Sequence, residues 1–466
     1  MTSCWHSHAD AQHDYASSFG DWVGGKVSLD EYLGQFSDLD LIHLARGIGM
    51  APSGVTPGIA GAFGGVSTRL KASGMPLAAC ADGPSGIRMD NGAMAFSVPN
   101  GTALAATFDL ELNRELFGYL ALELRKNNIE SLLGPGMNIH RHPLNGRNFE
   151  YFSEDPLLTG LMADAQVSGM LRHRVAGTVK HFALNNQEYR RNDADSIASQ
   201  RAIREIYLKP FEILVKRGNL RSVMTSYNPI NGVWAASNHE LNTVILREEW
   251  GFDGIVMTDW WAKMNWSPGA DGDRKHVGAM IRAQNDLYMV NLDAEANRNG
   301  DLAEEEYKEG RFTRADLLRN AKNICRFIRD YHHELHPLEL EVLNEPQLED
   351  NVLVRIDAGK VDKHTVLDVA ELTGKKGGSI AVAFEAQHYG HYSLKLRFRS
   401  ETTEVGQMNV TVSLNNIPAQ TISLRGAGVF EETVGFHIGQ NPNNYIDIYF
   451  SEGGLIIEGA ELVYES

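Results

Sequence analysis

The sequence predicts an α/β fold in which a TIM-like (β/α) barrel precedes an antiparallel β-sandwich. Between about Pro76 and Met289, short apolar runs alternate with longer amphipathic stretches, the order expected for parallel strands joined by crossover helices. Polar side chains follow several of these runs, at the positions where a barrel carries its functional loops. Beyond residue 352 the apolar period falls to two, as in strands with one buried face.

The predicted barrel occupies residues 41–332 and follows an N-terminal segment, residues 1–40. Leu112, Leu116, Leu120 and Leu124 recur every four residues and predict a helix between two of its strands. The strands themselves are six apolar runs: PLAACAD (76–82), SLLGP (131–135), VAGTVKHF (175–182), RSVMTSY (221–227), DGIVMTD (253–259) and NDLYMV (285–290).

A final helix is expected from Thr313, a candidate N-cap, to Arg329. The segment HELHPLELEVLNEPQLEDN (333–351) is acidic, contains two prolines and lacks a period, so it predicts a linker. In residues 352–466 alternating runs such as Tyr392, Leu394 and Leu396 are separated by turn-like sequences. This pattern favours a separate, jelly-roll-like β-sandwich.

Composition excludes several partners. The 466 residues contain 43 Lys and Arg against 60 Asp and Glu, a formal charge of −17, which would repel nucleic acid and anionic membranes. Cys4, Cys80 and Cys325 lie far apart without metal-ligand spacing, so no disulfide framework is expected. Neither a secretion signal nor a run of about 18 apolar residues is present. We therefore expect a cytoplasmic protein that binds neither nucleic acid nor membrane.

Polar and ionisable side chains lie at the ends of several predicted strands. Asp82, Lys180, His181, Tyr227 and Asp259 each stand at or just after the end of a predicted strand, on the face of a barrel that carries catalysis. Carboxylates and cations hydrogen-bond hydroxyl groups, and aromatic rings pack against the C–H face of a sugar. The set therefore suits a neutral polyol such as a sugar.

Five segments resemble glycoside hydrolase family 3, of the β-glucosidase type, in their order and spacing: DGPSGIR (82–88), GRNFEYFSEDP (146–156), VKHFALNNQE (179–188), SYN (226–228) and VMTDWW (256–261). The likeness spans most of residues 40–330, and flanking segments resemble the circularly permuted members. It implies a retaining glycosidase that forms a glycosyl ester on Asp259. It also implies sugar contacts from Asp82, Arg147, Lys180, His181 and Tyr227, and a stacking face from Trp260. Neither a cofactor nor a metal site is expected.

Each assignment has a structural alternative. Asp259 could cap a helix, His181 could be a core histidine, and Trp261 and Trp266 are expected to pack rather than to face a ligand. Arg147 and Lys180 could instead join a buried ion-pair network with Glu150, Glu154 or Glu188.

The sequence differs from the family in the source of the general acid. A retaining mechanism needs a second carboxyl group to protonate the leaving oxygen, and the resemblance places that group in a further α/β domain. No such domain is predicted here, so another domain, a partner chain or oligomer, or a local residue such as Glu188 has to supply it. We therefore expect a mono- or oligosaccharide substrate and an exo-acting β-glycosidase of terminal β-linked hexose. The alternative is a non-catalytic carbohydrate-binding or scaffold subunit.

The sandwich has two interpretations as well. It resembles carbohydrate-binding modules of the jelly-roll kind, with loop candidates His388, Tyr389 and Asn443, and it could equally be a packing or oligomerisation domain.

Overall fold

A computed structural model describes residues 16–49, 52, 54–89, 95–289, 293–338, 354–376, 378–400, 407–415, 417–439, 443–450 and 453–465. Contacts divide the chain into two compact units, residues 1–338 and 339–466. Within the described part, no helix combines the length and the apolar character that crossing a membrane requires.

The first unit begins with three short helices, α1 (Phe19–Val23), α2 (Leu29–Gly34) and α3 (Asp38–Leu44). Each is preceded by a serine whose side chain caps the helix, with an acid three residues later that completes a capping box. Buried Phe19 and Tyr32 join the same apolar cluster as Ile324 and Phe327 of the last helix. The described part of the predicted N-terminal segment, residues 16–40, therefore contributes side chains to the core of the first unit.

The other helices of this unit alternate with its strands. They are α4 (Thr68–Ala72), α5 (Gly101–Ala105), α6 (Leu110–Lys126), α7 (Pro156–Leu171), α8 (Gln200–Ala202), α9 (Lys209–Arg217), α10 (Val277–Arg282), α11 (Ala303–Lys308) and α12 (Arg314–Tyr331), with π-helical turns at Ile203–Tyr207 and Glu240–Glu249. The α12 prediction is confirmed, because Thr313 caps it and Asp316 closes the box. Helix α6 also forms as predicted, but Leu112 is 47% exposed, and Asn113 and Phe117 are buried instead.

A curled sheet forms the centre of the first unit. Its order is β1 (Ile48–Gly49), β2 (Gly61–Gly64), β3 (Leu77–Asp82), β4 (Ser131–Leu133), β5 (Ala176–Phe182), β6 (Ser222–Thr225) and β9 (Ile255–Thr258). Strands β3 to β6 and β9 are parallel, as predicted. Strand β2 was not predicted, and it runs antiparallel to both neighbours. Two short strands, β7 (Pro229–Ile230) and β8 (Val233–Trp234), pair separately.

The segment 285–290 was predicted as a strand; within its described residues, 285–289, it forms two isolated parallel bridges rather than a continuous strand. One joins Leu287 to Met257 of β9, and the other joins Tyr288 to Arg46, which precedes β1. The segment thus reaches both edges of the sheet. Behind it the buried side chains of Arg46 and Asp301 pair through two hydrogen bonds of 2.9 and 2.8 Å.

The second unit contains two sheets around one apolar cluster that includes Val382, Leu394, Phe398 and Ile448. Its strands are β10 (Val354–Val361), β11 (His364–Leu367), β12 (Leu372–Gly374), β13 (Ser379–Ala386), β14 (Gly390–Ser400), β15 (Gln407–Leu414), β16 (Ile417–Arg425), β17 (Gly428–Ile438), β18 (Asn443–Phe450) and β19 (Leu455–Tyr464). One sheet has the order β10-β13-β18-β15-β16, and the other has β11-β19-β14-β17 with β12 on β19. The expected antiparallel pairing holds except between β10 and β13, which are parallel.

Candidate active site

A cavity of about 390 Å³ opens where β3, β5, β6 and β9 end at their carboxyl termini. This is the face that supplies functional residues in βα folds. The cavity brings together all seven residues that the sequence proposed. Its lining consists of Ala60, Asp82, Arg88, Leu133, Arg147, Lys180, His181, Arg191, Met224, Tyr227, Asp259, Trp260 and Trp261.

Asp82 and Lys180 form an ion pair inside the cavity. Asp82 ends β3, Lys180 lies in β5, and Lys180 Nζ donates to Asp82 Oδ1 at 2.8 Å. Arg88 approaches the other oxygen at 3.4 Å. Burial alone would raise the pKa of Asp82, but Lys180 and the Gly83 N–H outweigh it and lower the pKa below its ordinary value. Asp82 is therefore ionised and accepts hydrogen bonds.

Asp259 follows β9 directly and is buried at 8% exposure. Its Oδ1 accepts the Trp260 N–H at 2.7 Å, and Tyr227 lines the same cavity. Burial raises the pKa of Asp259, opposed by the charges of Arg147 and Lys180, by the Trp260 N–H and by the nearby Tyr227 hydroxyl. The carboxylate thus lies among cations and donors, but in a poorly hydrated place.

His181 is buried beside Asp259. Its Nε2 lies 3.6 Å from Asp259 Oδ2, and its Nδ1 lies 3.1 Å from the hydroxyl of Tyr151. Burial, together with the charges of Arg147 and Lys180, holds the pKa of His181 well below its ordinary value. The imidazole is therefore neutral at neutral pH and offers hydrogen bonding rather than charge.

Arg147 combines both of the roles that the sequence left open. Its side chain lines the cavity, and its Nε donates to Glu150, with Glu188 Oε1 3.9 Å from the guanidinium. The nearby Tyr151, Glu150 and Asp259 outweigh burial and raise the pKa of Arg147. Glu154, the third candidate of that network, is exposed.

Trp260 and Trp261 both line the cavity, in different ways. Trp260 is buried, and its Nε1 donates to the Ala60 carbonyl at 3.2 Å, which fixes the indole plane. Trp261, expected to pack, is instead 42% exposed at a positive φ of 58°. Trp266 is part-buried away from this cavity and donates to Glu306 at 2.7 Å.

Sequence reasoning missed several lining residues. Arg191 lies in a loop after β5, and Arg88 follows the segment after β3. Arg88 ends the family-like segment 82–88, so its place in that segment was an available signal, whereas Arg191 lies three residues beyond the segment 179–188. Leu133 and Met224 are apolar strand residues, and no sequence pattern distinguishes their cavity-facing position from core packing.

The described lining residues include two carboxyl groups, Asp82 and Asp259. Glu188, considered as a local acid, is absent from that lining and is held by Arg191 at 2.8 Å and by Asn185 at 3.0 Å.

One described cluster has the composition of a metal site: Glu130, His332 and His333, whose ligand atoms lie within 4.8 Å of one another. The atoms already have protein partners, because Glu130 accepts from Ala79 N and from His333, and His332 contacts the Leu77 carbonyl and Glu334 N–H. We assign it a structural role that ties the end of α12 to β3 and β4.

The second unit carries the loop residues suggested for glycan contact. His388 is held by Asp362 at 2.7 Å and stacks on Tyr464, and Tyr389 is 51% exposed. Asn443 begins β18, and its side chain lies outside the described part of the chain.

A curled parallel sheet whose carboxyl ends hold ionised groups and indole rings is typical of α/β proteins with a site for a small polyhydroxylated ligand. The family model "Glycosyl hydrolase family 3 N terminal domain" matches residues 59–327. The chain therefore belongs to glycoside hydrolase family 3.

Several β-glucosidases are similar to this chain. A β-glucosidase of Ruminococcus albus is 45% identical over 456 residues, which cover 95% of this chain and 47% of that protein. The structure of a β-glucosidase from Paenibacillus barengoltzii has a TM-score of 0.68 at 40% identity, covering 97% of this chain and 49% of that one. β-Glucosidase 3B from Thermotoga neapolitana in complex with glucose has a TM-score of 0.57 at 36% identity, covering 65% and 42%. The chain spans about half the length of the relatives it matches.

Proposed function

We propose that this chain carries the nucleophile and the sugar subsite of a retaining, exo-acting β-glycosidase that removes terminal β-linked hexose, as a β-glucosidase does. One observation carries the proposal: Asp259 lies buried in the cavity with its carboxylate accepting the Trp260 N–H, next to the cavity-lining side chains of Lys180 and Arg147. Family membership and the named β-glucosidases support it.

In the proposed reaction Asp259 attacks the anomeric carbon and forms a glycosyl ester, which water then hydrolyses with net retention. Because Oδ1 accepts the Trp260 N–H, we assign the attack to Oδ2, the oxygen near His181. The charges of Arg147 and Lys180 keep a carboxylate available in this buried place.

The other lining residues hold the terminal sugar. Asp82 accepts hydrogen bonds from sugar hydroxyls, and Lys180 and Arg147 donate to them. Neutral His181 adds a further hydrogen bond, and Trp260 supplies an apolar face for the sugar ring. A cavity of about 390 Å³ fits one terminal residue better than the middle of a long chain, which supports exo action.

We further propose that the general acid comes from another domain or from a partner chain or oligomer. Of the two carboxyl groups in the described lining, Asp82 is held ionised by Lys180 and Asp259 is the nucleophile. Neither can protonate a leaving oxygen.

The finer architecture belongs to the same proposal. The bridges at Leu287 and Tyr288 support a closed TIM-like barrel, and the two sheets of the second unit support a jelly-roll-like sandwich. The division into residues 1–40, 41–332, 333–351 and 352–466 stays a prediction, as does the cytoplasmic location.

The deciding experiment is covalent trapping. The chain is incubated with a 2-deoxy-2-fluoro-β-glucosyl fluoride, whose leaving group needs no protonation, and the adduct is located by intact mass and peptide mapping. We expect one sugar on the peptide that holds Asp259 and none in Asp259→Asn. Asp193→Asn, a change in a surface pair with Lys263, is the matched control and should label normally. Sugar binding without an adduct would instead support the non-catalytic binding subunit.

A further inference from the structure

Two adjacent histidines lie at the end of helix α12, and the proposed function uses neither of them. His332 follows α12 directly and is buried, whereas the side chain of His333 is part-exposed. The centres of the two rings lie 4.4 Å apart, with an angle of 32° between their planes. Residues 332–338 complete the first unit, so the rings lie where the chain leaves that unit.

His333 is held to the sheet by Glu130, which precedes β4 and is completely buried. Glu130 Oε1 accepts from the backbone N–H of His333 at 3.1 Å and lies 2.5 Å from the Nδ1 of its ring. The other oxygen, Oε2, accepts from the backbone N–H of Ala79 in β3 at 2.6 Å. One carboxylate therefore joins the segment after α12 to the sheet.

His332 is held by two contacts of its own, and these define its protonation state. The backbone N–H of Glu334 lies 3.3 Å from Nδ1 and can only donate, so Nδ1 accepts and carries no proton. The ring proton is then on Nε2, which donates to the Leu77 carbonyl of β3 at 3.2 Å. Both hydrogen bonds require the neutral imidazole, because the imidazolium has no acceptor nitrogen.

Protonation of His332 would break this arrangement. A proton on Nδ1 would face the N–H of Glu334, so that a hydrogen bond becomes two opposed donors. It would also create a buried positive charge beside the ring of His333. Burial accordingly lowers the pKa of His332, and His333 acts in the same direction, opposed by the charges of Glu130 and Glu334.

The other ionisable groups around the cluster do not respond in this way. Burial raises the pKa of the Cys80 thiol of β3, so it stays neutral. Arg125 of α6 remains charged, and it donates to the Tyr331 carbonyl at 3.2 Å and to the carbonyl of His336. These two contacts hold the same segment without a change of charge.

We propose that Glu130, His332 and His333 form a pH-dependent latch, which holds the segment 332–338 against β3 and β4 at neutral pH and releases it when His332 is protonated. In the released segment His332 is hydrated and has its ordinary pKa of about 6.5. Because the pKa is lower in the held state, holding is strongest above about pH 6.5 and weakens as the pH falls toward the lower value. The latch is independent of the function proposed for Asp259.

Hydrogen exchange followed by mass spectrometry tests the release. It is measured on the full chain, with EDTA present so that no bound metal contributes. Peptides from residues 332–338 are compared at about pH 7 and about pH 5.5, after correction for the intrinsic exchange rate. A single histidine that regains a pKa of about 6.5 on release gives a loss of protection of up to about eightfold between these values, and we expect that loss in the wild type.

Two matched variants identify the titrating group. In His332→Gln the side-chain amide can still donate to the Leu77 carbonyl and accept from Glu334, but it does not titrate. Its loss of protection should therefore be less than about twofold. His336→Gln makes the same change further along the segment, where His336 Nε2 contacts the Arg329 carbonyl at 2.8 Å. This variant should lose protection as the wild type does.

The ring of His332 is observed directly by long-range ¹H–¹⁵N NMR in the wild type. We expect the Nε2–H tautomer at neutral pH and a titration midpoint below the ordinary pKa of histidine. The opposite tautomer, a midpoint at or above the ordinary value, or protection that is independent of pH would each overturn the latch. An equal loss of protection in His332→Gln would also overturn it, because another group would then be the sensor. If His332→Gln does not fold, the wild-type tautomer and midpoint still decide.

Discussion

At the scale of single residues, the cavity holds two carboxyl groups whose pKa values move in opposite directions. Asp82 has an ammonium group at 2.8 Å, whereas Asp259 accepts the Trp260 N–H and interacts with the charges of Arg147 and Lys180. Direct contact overcomes the cost of burial for Asp82, and the longer interactions do not for Asp259. Asp82 is therefore held in its ionised form, whereas Asp259 is less strongly stabilised as an anion and stays reactive.

The raised pKa of Asp259 predicts a stability effect with a definite sign. Because its pKa is higher folded than unfolded, ionisation costs stability progressively as pH rises from the unfolded value of about 3.9 through the folded one. Asp259→Asn removes this cost, so we expect it to stabilise the first unit by about 0.5–2 kcal/mol at pH 7. Urea unfolding should show a gain that disappears below the ordinary pKa of an aspartate. A loss at pH 7 would contradict this account.

Substitutions at Asp82 and Lys180 are expected to have non-additive effects on the free energy of unfolding, because the two side chains form an ion pair. Asp82→Asn leaves the ammonium of Lys180, only 5% exposed, without its counter-charge. We expect a loss of about 1–3 kcal/mol in the free energy of unfolding and weaker glucose binding by calorimetry. The double variant Asp82→Asn with Lys180→Gln should be more stable than Asp82→Asn alone, although it should bind glucose no better. Equal losses in the single and double variants would show that the pair is not coupled.

At the scale of elements, two glycines in the first two strands make room for the indole of Trp260. A Cβ on Gly61 of β2 would lie 2.9 Å from Trp260 Cζ2 and 3.0 Å from the Ile48 carbonyl. A Cβ on Gly49 of β1 would lie 3.0 Å from Trp260 Nε1. Strand β2, which was not predicted, therefore determines where the Trp260 indole lies in the cavity, although β2 has no polar side chain.

Gly61→Ala tests this packing. We expect it to displace Trp260, to lower glucose affinity and to destabilise the first unit by about 1–3 kcal/mol through overpacking. Tryptophan fluorescence and calorimetric titration with glucose measure the two effects. Gly34→Ala, where a Cβ would meet nothing within 4 Å, is the matched control and should behave as wild type. Unchanged affinity in Gly61→Ala would mean that β2 does not position the indole.

Some strands could be predicted from the sequence and others could not. The runs that became β3, β5, β6 and β9 were found because each is a continuous apolar stretch followed by a polar residue. Strand β2, with the sequence GAFG, is too short and too rich in glycine to give such a signal. The segment 285–290 is equally apolar, yet among its described residues, 285–289, bridges form at Leu287 and Tyr288 alone, because strand pairing depends on the neighbouring strands as well as on the apolar pattern.

At the scale of the whole molecule, the chain covers about half the length of its β-glucosidase relatives, and its described cavity offers two carboxyl groups, both engaged. A nucleophile without an acid still reacts with glycosides whose leaving group departs unprotonated. The proposed function therefore has a reactivity pattern that distinguishes it from both a complete glycosidase and a binding protein.

We expect the chain to release dinitrophenol from a dinitrophenyl β-glucoside but to leave an alkyl β-glucoside unchanged. Azide, which attacks the glycosyl ester without a general base, should raise the rate and yield β-glucosyl azide. Release is followed by absorbance, and the azide product by mass and NMR. Asp259→Asn should remove both activities. Rapid hydrolysis of the alkyl glucoside without azide would show that the chain supplies its own acid.

The sequence by itself determined the order of the parallel strands β3 to β6 and β9, the two-part α/β and β architecture, and seven of the residues that gather in the cavity. It could do so because strand ends and motif order are local features of the chain. Only the tertiary structure decided which residues touch: that Lys180 neutralises Asp82, that Arg191 lies over Tyr227, and that β2 makes room for Trp260. These contacts join segments far apart in sequence, and only the packing of the whole core sets their distances.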